Sequence, residues 1–184
     1  GSEMCIRDRC MVYDAMGWHR PRFAHIPLIH GADGAKLSKR HGAVSVLEFR
    51  EEGLLPEALC NYLLRLGWGH GDEEIIPRDR AEKIFDLKHV GRAASRMDYK
   101  KLEHVNGVYL RQADAARLLP DVLHRLSAAG EMFGTEKIAR LKLLLPALQE
   151  RAKNLSELAA SAAFAVTDGA PTPDVKSAAL LTPD

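Results

Sequence analysis

The sequence predicts a mostly α-helical protein, and three observations carry that prediction. From residue 56 to about residue 165, apolar residues recur at helical spacing. These segments begin and end at helix signals: Ser45 with Glu48 in capping-box spacing, Pro56, Asp98, Gly53 and Gly67. Only residues 23–30, FAHIPLIH, are short, apolar and β-branched enough to read as a buried strand, and Pro27 favours a sheet edge or strand end there.

Taken in order, residues 1–9 (GSEMCIRDR) show neither periodicity nor a cap. They are expected to be a non-native scar that lies outside the fold. Residues 10–18 read as the last turns of an amphipathic helix, with Val12, Ala15 and Met16 on one face and a stop near Gly17. After the strand, Asp33-Gly34 marks a tight turn, and AKLSKRHGA is a basic, glycine-bounded loop. A helix should run from Val46 to Gly53, and the next should start at Pro56, with Leu59, Tyr62, Leu63 and Leu66 on one face. GWGHGDEE is an acidic, glycine-rich loop, followed by a short helix over 78–86. Asp98 caps a helix through Tyr109 that turns Leu102, Val105 and Tyr109 inward. Helices follow over about 113–128, 136–151 and 155–165, with Pro120 and Pro146 expected to start new helices rather than sit inside them. The tail is a Pro-rich loop and then the start of another helix.

The 184 residues are enough for a real core, and 46% hydrophobic against 28% charged residues excludes a disordered chain. No run of about 18 apolar residues reads as a transmembrane helix, and the N-terminus lacks the apolar stretch of a signal peptide. Cys5, Cys10 and Cys60 are odd in number and form no CxxC pair. That argues against a disulfide framework or a zinc site and fits a reducing cytoplasm. Cys60 is expected to be buried in its helix as a small hydrophobe.

A net charge of +1 hides an uneven distribution: residues 20–50 and 78–111 are basic and residues 51–77 acidic. Basic segments meet phosphates, although charge alone fits ordinary surface variation as well. The sharpest feature is Lys36-Leu37-Ser38-Lys39-Arg40-His41-Gly42, with three fixed positive charges in five residues and a hydroxyl between them. Phosphoryl and nucleotidyl transfer need cations and donors placed where charge builds on phosphate oxygens, and a mobile lysine loop can close over a triphosphate and open again. On its own the pattern also fits a solvated basic turn.

The surroundings decide between these. KLSKR resembles the Lys-Met-Ser-Lys-Ser signature of class I aminoacyl-tRNA synthetases in its glutamate-type form. The stretch from FAHIPLIHGADGAKLSKRHGAVSVLEFREEGLLPEALCNYLLRLGWGHGDEEI resembles the corresponding segment of bacterial glutamyl-tRNA synthetases. MDYKKLEHVNGVYLR resembles that family's stem-contact region, and QERAKNLSELAASAAF the opening helices of its anticodon-binding domain. The resemblance runs from about Cys10 to the end.

It implies the remnant of a Rossmann-like α/β catalytic domain over 10–50, a helical stem-contact domain over 51–111 and the start of a helical anticodon-binding domain over 112–184. It implies ATP with Mg2+, glutamate and tRNA(Glu) as substrates and partners, no membrane, and a cytoplasmic enzyme that is monomeric when full length. Lys39, the second lysine, would contact the ATP phosphates; Lys36 and Ser38 would shape and close the loop. Arg40 stands where many class I enzymes carry Ser and is normal for the glutamate branch. Arg92, Arg96, Lys100 and Lys101 are candidates for the tRNA backbone, where contacts give affinity without sequence reading. His41 is expected to set the loop conformation, Asp98 to cap a helix, and Trp68 to plug a core rather than stack on a base; Asn106 sits in the same stem-contact resemblance.

The His-Ile-Gly-His-type signature of the family's ATP site is absent from the sequence. The chain is therefore expected to be a fragment that does not charge tRNA by itself, with apolar surface over 10–31 that invites aggregation. Two other readings remain in play. One is a non-catalytic tRNA-binding module with a relic lysine loop. The other is an unrelated nucleotidyltransferase, which leaves the helical resemblance unexplained. QERAKNLSELA counts against the short glutamyl-queuosine relatives, which lack an anticodon domain, and KLSKRHG followed by helices fits the glutamate better than the glutaminyl branch.

Overall fold

The computed structural model describes residues 2–24, 26–38, 45–127 and 133–168. It opens on a single helix, α1 (Ser2–Ala15), which includes residues 2–9 of the stretch expected to be a non-native scar. Nothing in that stretch is Pro or Gly, so the helix has no reason to stop before Gly17, which takes φ 67°. Among the described residues nothing covers its apolar side: Met11 and Val12 are more than half exposed.

The expected strand over 23–30 shrinks to β1 (Ile29–His30), parallel to β2 (Ser95–Arg96), a strand that the sequence pattern did not reveal. A strand exists only where a neighbour takes up its N–H and C=O groups, and β2 offers two residues. Ile26 and Leu28 consequently lie exposed, and Pro27 has no N–H to give a ladder.

The helix signals were read more faithfully. Helix α2 (Val46–Glu51) carries the full capping box: the Ser45 side chain accepts from the α2 backbone, and the Ser45 N–H donates to Glu48 Oε2 at 2.9 Å. Gly53, just past its end, takes φ 94°. Helix α3 (Pro56–Gly67) starts at its proline, α4 (Arg78–Ile84) is short, and α5 (Tyr99–Gln112) is capped by Asp98, whose carboxylate accepts from the Lys101 N–H at 3.0 Å. Then come α6 (Ala115–Ser127), α7 (Thr135–Gln149) and α8 (Leu155–Ala162), the last closed by a 3-10 turn over Ala163–Ala165.

Three expectations are overturned here. Pro120 and Pro146 sit inside α6 and α7. Each removes the bond to the carbonyl four residues earlier, but those carbonyls belong to Ala116 and Lys142, both exposed, and water can take over as their partner. Cys60 is exposed rather than buried, and Leu63 is 39% exposed. The reason is rotational: α3 buries Ala58, Leu59, Asn61 and Tyr62, which leaves positions 60 and 63 on the outer side.

Two apolar clusters hold these elements. The larger runs from Leu55 and Ala58 through Val105, Leu110, Leu118, Val122, Leu141 and Leu145 to Leu158 and Val166. The smaller joins Phe49, Leu59, Tyr62, Met97 and Leu102, with Ile29 and Leu37 packed against it. Buried amides stitch the seams. Asn106 Oδ1 accepts from the Leu55 N–H at 2.8 Å, and its Nδ2 donates to the Lys153 carbonyl at 2.7 Å. Gln149 donates to the Ala113 carbonyl at 2.9 Å. Gly53 is pressed against the start of α8: the Leu155 N–H donates to its carbonyl at 2.9 Å, and a Cβ would lie 2.7 Å from the Ser156 nitrogen. Arg125 of α6 reaches across to donate to the carbonyls of Arg50 and Glu51 at the end of α2.

Candidate functional site

Both ends of the lysine loop are anchored. Before it, residues 29–37 form a small hairpin, in which Leu37 N–H donates to the Ile29 carbonyl at 3.0 Å and Gly31 N–H to the Ala35 carbonyl at 2.8 Å. Asp33 Oδ1 accepts from the Ala35 N–H at 3.0 Å, and Gly34 turns the chain at φ 81°, a value that favours glycine. The Leu37 side chain plugs the smaller core cluster. Behind the hairpin, Met97 N–H donates to the His30 carbonyl at 2.8 Å and continues the β1–β2 pairing. After the loop, the Ser45–Glu48 box starts α2, whose Phe49 enters the same cluster.

Lys36 is exposed and stands opposite His30 in an antiparallel bridge; Ser38 is half-buried. Lys39, Arg40 and His41 lie outside the described residues. Of the basic residues assigned to RNA, Lys100 is exposed on the first turn of α5 and Lys101 pairs with Glu74 at 3.2 Å. Arg92 lines an apolar cleft of about 740 Å³ with Ile26, Leu63, Trp68, Phe85 and Leu87. Arg96 does not join them: it stands beside His30 on β2, with its guanidinium against Gly34. Sequence reading missed that pairing, and no local pattern could have shown it, because the two strands are far apart in the chain.

The remaining candidates resolve into structural parts. Asp98 is a cap and Asn106 a buried clamp. Trp68 is buried, its indole N–H donating to the Asp86 carbonyl at 3.0 Å and its ring stacked on His70. Donation from the His89 N–H and ring holds the Asp86 carboxyl below the usual carboxylate range. Burial pushes the Tyr62 phenol up, against the Asp98 N–H that donates to its oxygen. Among the described residues no three side chains of His, Cys, Asp or Glu come together to hold a metal ion, and no helix is long and apolar enough to cross a membrane.

The structure thus sets the flanks of a basic loop sequence beside a two-strand parallel sheet and a helical body. Residues 6–104 match the family model described as tRNA synthetases class I (E and Q), catalytic domain, and the chain belongs to that family. Among its relatives, the glutamate–tRNA ligase 1 of Acidiphilium cryptum is 64% identical over 176 residues, covering 95% of this chain and 38% of the relative. That of Granulibacter bethesdensis is 61% identical over 171 residues, 93% of this chain and 36% of the relative. A crystal structure of a glutamate–tRNA ligase from Elizabethkingia meningosepticum in complex with its amino acid superposes with a TM-score of 0.65 at 30% identity, covering 94% of this chain and 38% of that one. The chain thus spans little more than a third of the length of these relatives.

Proposed function

We propose that this chain is part of a glutamate–tRNA ligase: the piece that closes a lysine loop over the phosphates of ATP and leads into the helices that hold the tRNA stem. The observation that carries the reading is the double anchoring of the loop, by the hairpin on one side and the Ser45–Glu48 box on the other. A loop fixed at both roots can move its tip over a ligand without losing register.

In the whole enzyme, a glutamate carboxylate oxygen attacks the α-phosphorus of ATP. The bond to the bridging oxygen breaks, and pyrophosphate leaves. The terminal ribose hydroxyl of the tRNA then attacks the glutamyl carbonyl, loses its proton and expels AMP. Lys39 stabilises negative charge on the phosphates as the pyrophosphate departs. Lys36 and Ser38 hold the loop at its root, and Arg40 adds a further cation. Magnesium, held by phosphate oxygens and water, would enter with the nucleotide; the described residues offer it no cage of their own. Arg92, Arg96, Lys100 and Lys101 would lie along the RNA backbone. On this reading residues 10–50 close the catalytic domain, 51–111 contact the stem, and 112–184 begin the anticodon-binding part.

The test is a titration of the chain with MgATP, followed by amide NMR shifts over residues 29–38, beside an assay of ATP–pyrophosphate exchange. The expected result is nucleotide binding that Lys39→Ala removes, with exchange at background. Exchange above background, with glutamate and tRNA supplied, would refute the expectation of an inactive piece. RNA binding with no nucleotide effect would replace the reading by that of a non-catalytic RNA-binding module.

A further inference from the structure

The carboxyl end of α2 is closed by donors from elsewhere in the chain. A helix leaves its last carbonyls without partners of its own, and the partial negative charge there favours a cation. Arg125 of α6 supplies one: Nη1 donates to the Glu51 carbonyl at 2.9 Å, and Nη2 to the Arg50 carbonyl. Ser156 Oγ, on α8, accepts from Arg125 Nη1 at 3.2 Å and donates to the Glu52 carbonyl at 3.2 Å. A continuing helix would bring the Leu55 N–H back to the Glu51 carbonyl, but that donor is taken by Asn106 Oδ1.

This seat is not free of strain. Arg125 Nε is buried and, among the described residues, has no acceptor; a buried donor left so lowers stability and calls for an explanation. A second seat lies one turn away. Asp121 stands four residues before Arg125 on α6, in the favoured order of acid before base. It is exposed, and among the described residues no ion pair engages it. With Arg125 and Ser156 it lines a groove of about 450 Å³ beside the joint. Turning the guanidinium into that groove exchanges the α2 carbonyls for a carboxylate and brings Nε out to water.

We propose that Arg125 is a two-position latch. On the carbonyls of Arg50 and Glu51 it fixes the last turn of α2 to α6 and α8; on Asp121 it lets that turn loosen. Gly53 stays seated in both positions, because its carbonyl accepts from the Leu155 N–H independently of Arg125. Phe49 sits on the turn that loosens and packs in the smaller apolar cluster. The latch therefore sets how tightly that cluster is tied to the helical body. A fixed cap is the competing reading, and it gives Asp121 no part.

The experiment is native-state hydrogen exchange on the whole 184-residue chain, in wild type, Arg125→Gln, Asp121→Asn and the double variant. The reporters are the amides of Glu52 and Gly53, which close the last turn on the Glu48 and Arg50 carbonyls; the amides of the buried Leu118 and Val122 are the controls. The latch predicts that Arg125→Gln speeds exchange at the reporters about tenfold. Asp121→Asn slows the reporters about twofold and leaves the controls unchanged, because only the released position loses a partner. The double variant matches Arg125→Gln, since without the guanidinium Asp121 has nothing to hold. Reporters that Asp121→Asn leaves unmoved overturn the latch in favour of a fixed cap, and reporters that it speeds make Asp121 a support of the closed seat and overturn it too. Equal slowing of reporters and controls overturns it as a general gain in stability. Reporters unmoved by Arg125→Gln, or slowed by Asp121→Asn even where Arg125 is already replaced, overturn it as well. If Arg125→Gln fails to fold, Asp121→Asn, a change at an exposed position, carries the test alone with the same readings.

Discussion

The body built from α5 to α8 and the segment leading into β1 treat their apolar residues in opposite ways. Leu110, Leu118, Leu141 and Leu158 are wholly buried, whereas Met11, Val12, Met16, Trp18, Ile26 and Leu28 all lie more than half exposed. The sequences are not so different in apolar content; the difference is in what each needs from its neighbours. A helix satisfies its backbone internally and needs only one apolar side covered, which neighbouring helices supply for α5 to α8 but no described element supplies for Met11 and Val12 of α1. A strand must find its hydrogen-bonding partners elsewhere, and here β2 supplies two residues.

The largest effect expected from this contrast is in stability. Leu118→Ala should cost about 2–5 kcal/mol, because it empties a fully enclosed site. Leu28→Ala should stay within about 0.5 kcal/mol. Urea unfolding of both variants checks this, and equal losses would erase the distinction between the two regions. A smaller effect is expected at the seam of the body. Asn106→Ala leaves the Leu55 N–H and the Lys153 carbonyl without their partner, at a cost of roughly 1–3 kcal/mol. Hydrogen exchange at the Leu55 amide should speed up in step, and an unchanged rate would show that the clamp is idle.

The smallest effect concerns pH and the wall of the apolar cleft. The folded Asp86 carboxyl titrates below its unfolded value. Its stabilising effect is therefore complete above the ordinary carboxylate range and is lost as pH falls through the lowered folded value. Asp86→Asn should flatten that acid limb, read by the fluorescence of Trp68, whose indole N–H bonds to the Asp86 carbonyl. An acid limb unchanged by the substitution would mean that the His89 contacts leave the wall indifferent to charge.

What the sequence made legible follows the same division. Caps and helix starts are local chemistry, so Ser45 with Glu48, Pro56 and Asp98 were read where they stand. The lysine loop was legible as a motif, and the family that it resembles matches residues 6–104. The strand over 23–30 was overdrawn because its pattern says nothing of whether a neighbour exists. Pro120 and Pro146 were misplaced because the rule against helix-interior proline holds less firmly where the freed carbonyl faces water. The pairing of His30 with Arg96 could not be read, since it depends on two distant segments meeting.

The joint at the end of α2 has a consequence for how the chain is made. Its partners arrive late: Ser156 Oγ donates to the Glu52 carbonyl across a separation of 104 residues, and Arg125 reaches the Arg50 carbonyl across 75. At a synthesis rate of about 5–20 residues per second, the last of these partners emerges on the order of 5–20 s after α2 itself. Early in that interval the hairpin root waits for β2, and to its end the far strut waits for α8. The joint is complete only once Ser156 has been made, so ribosomes that stall before it release a chain with the full lysine signature and an unfinished frame.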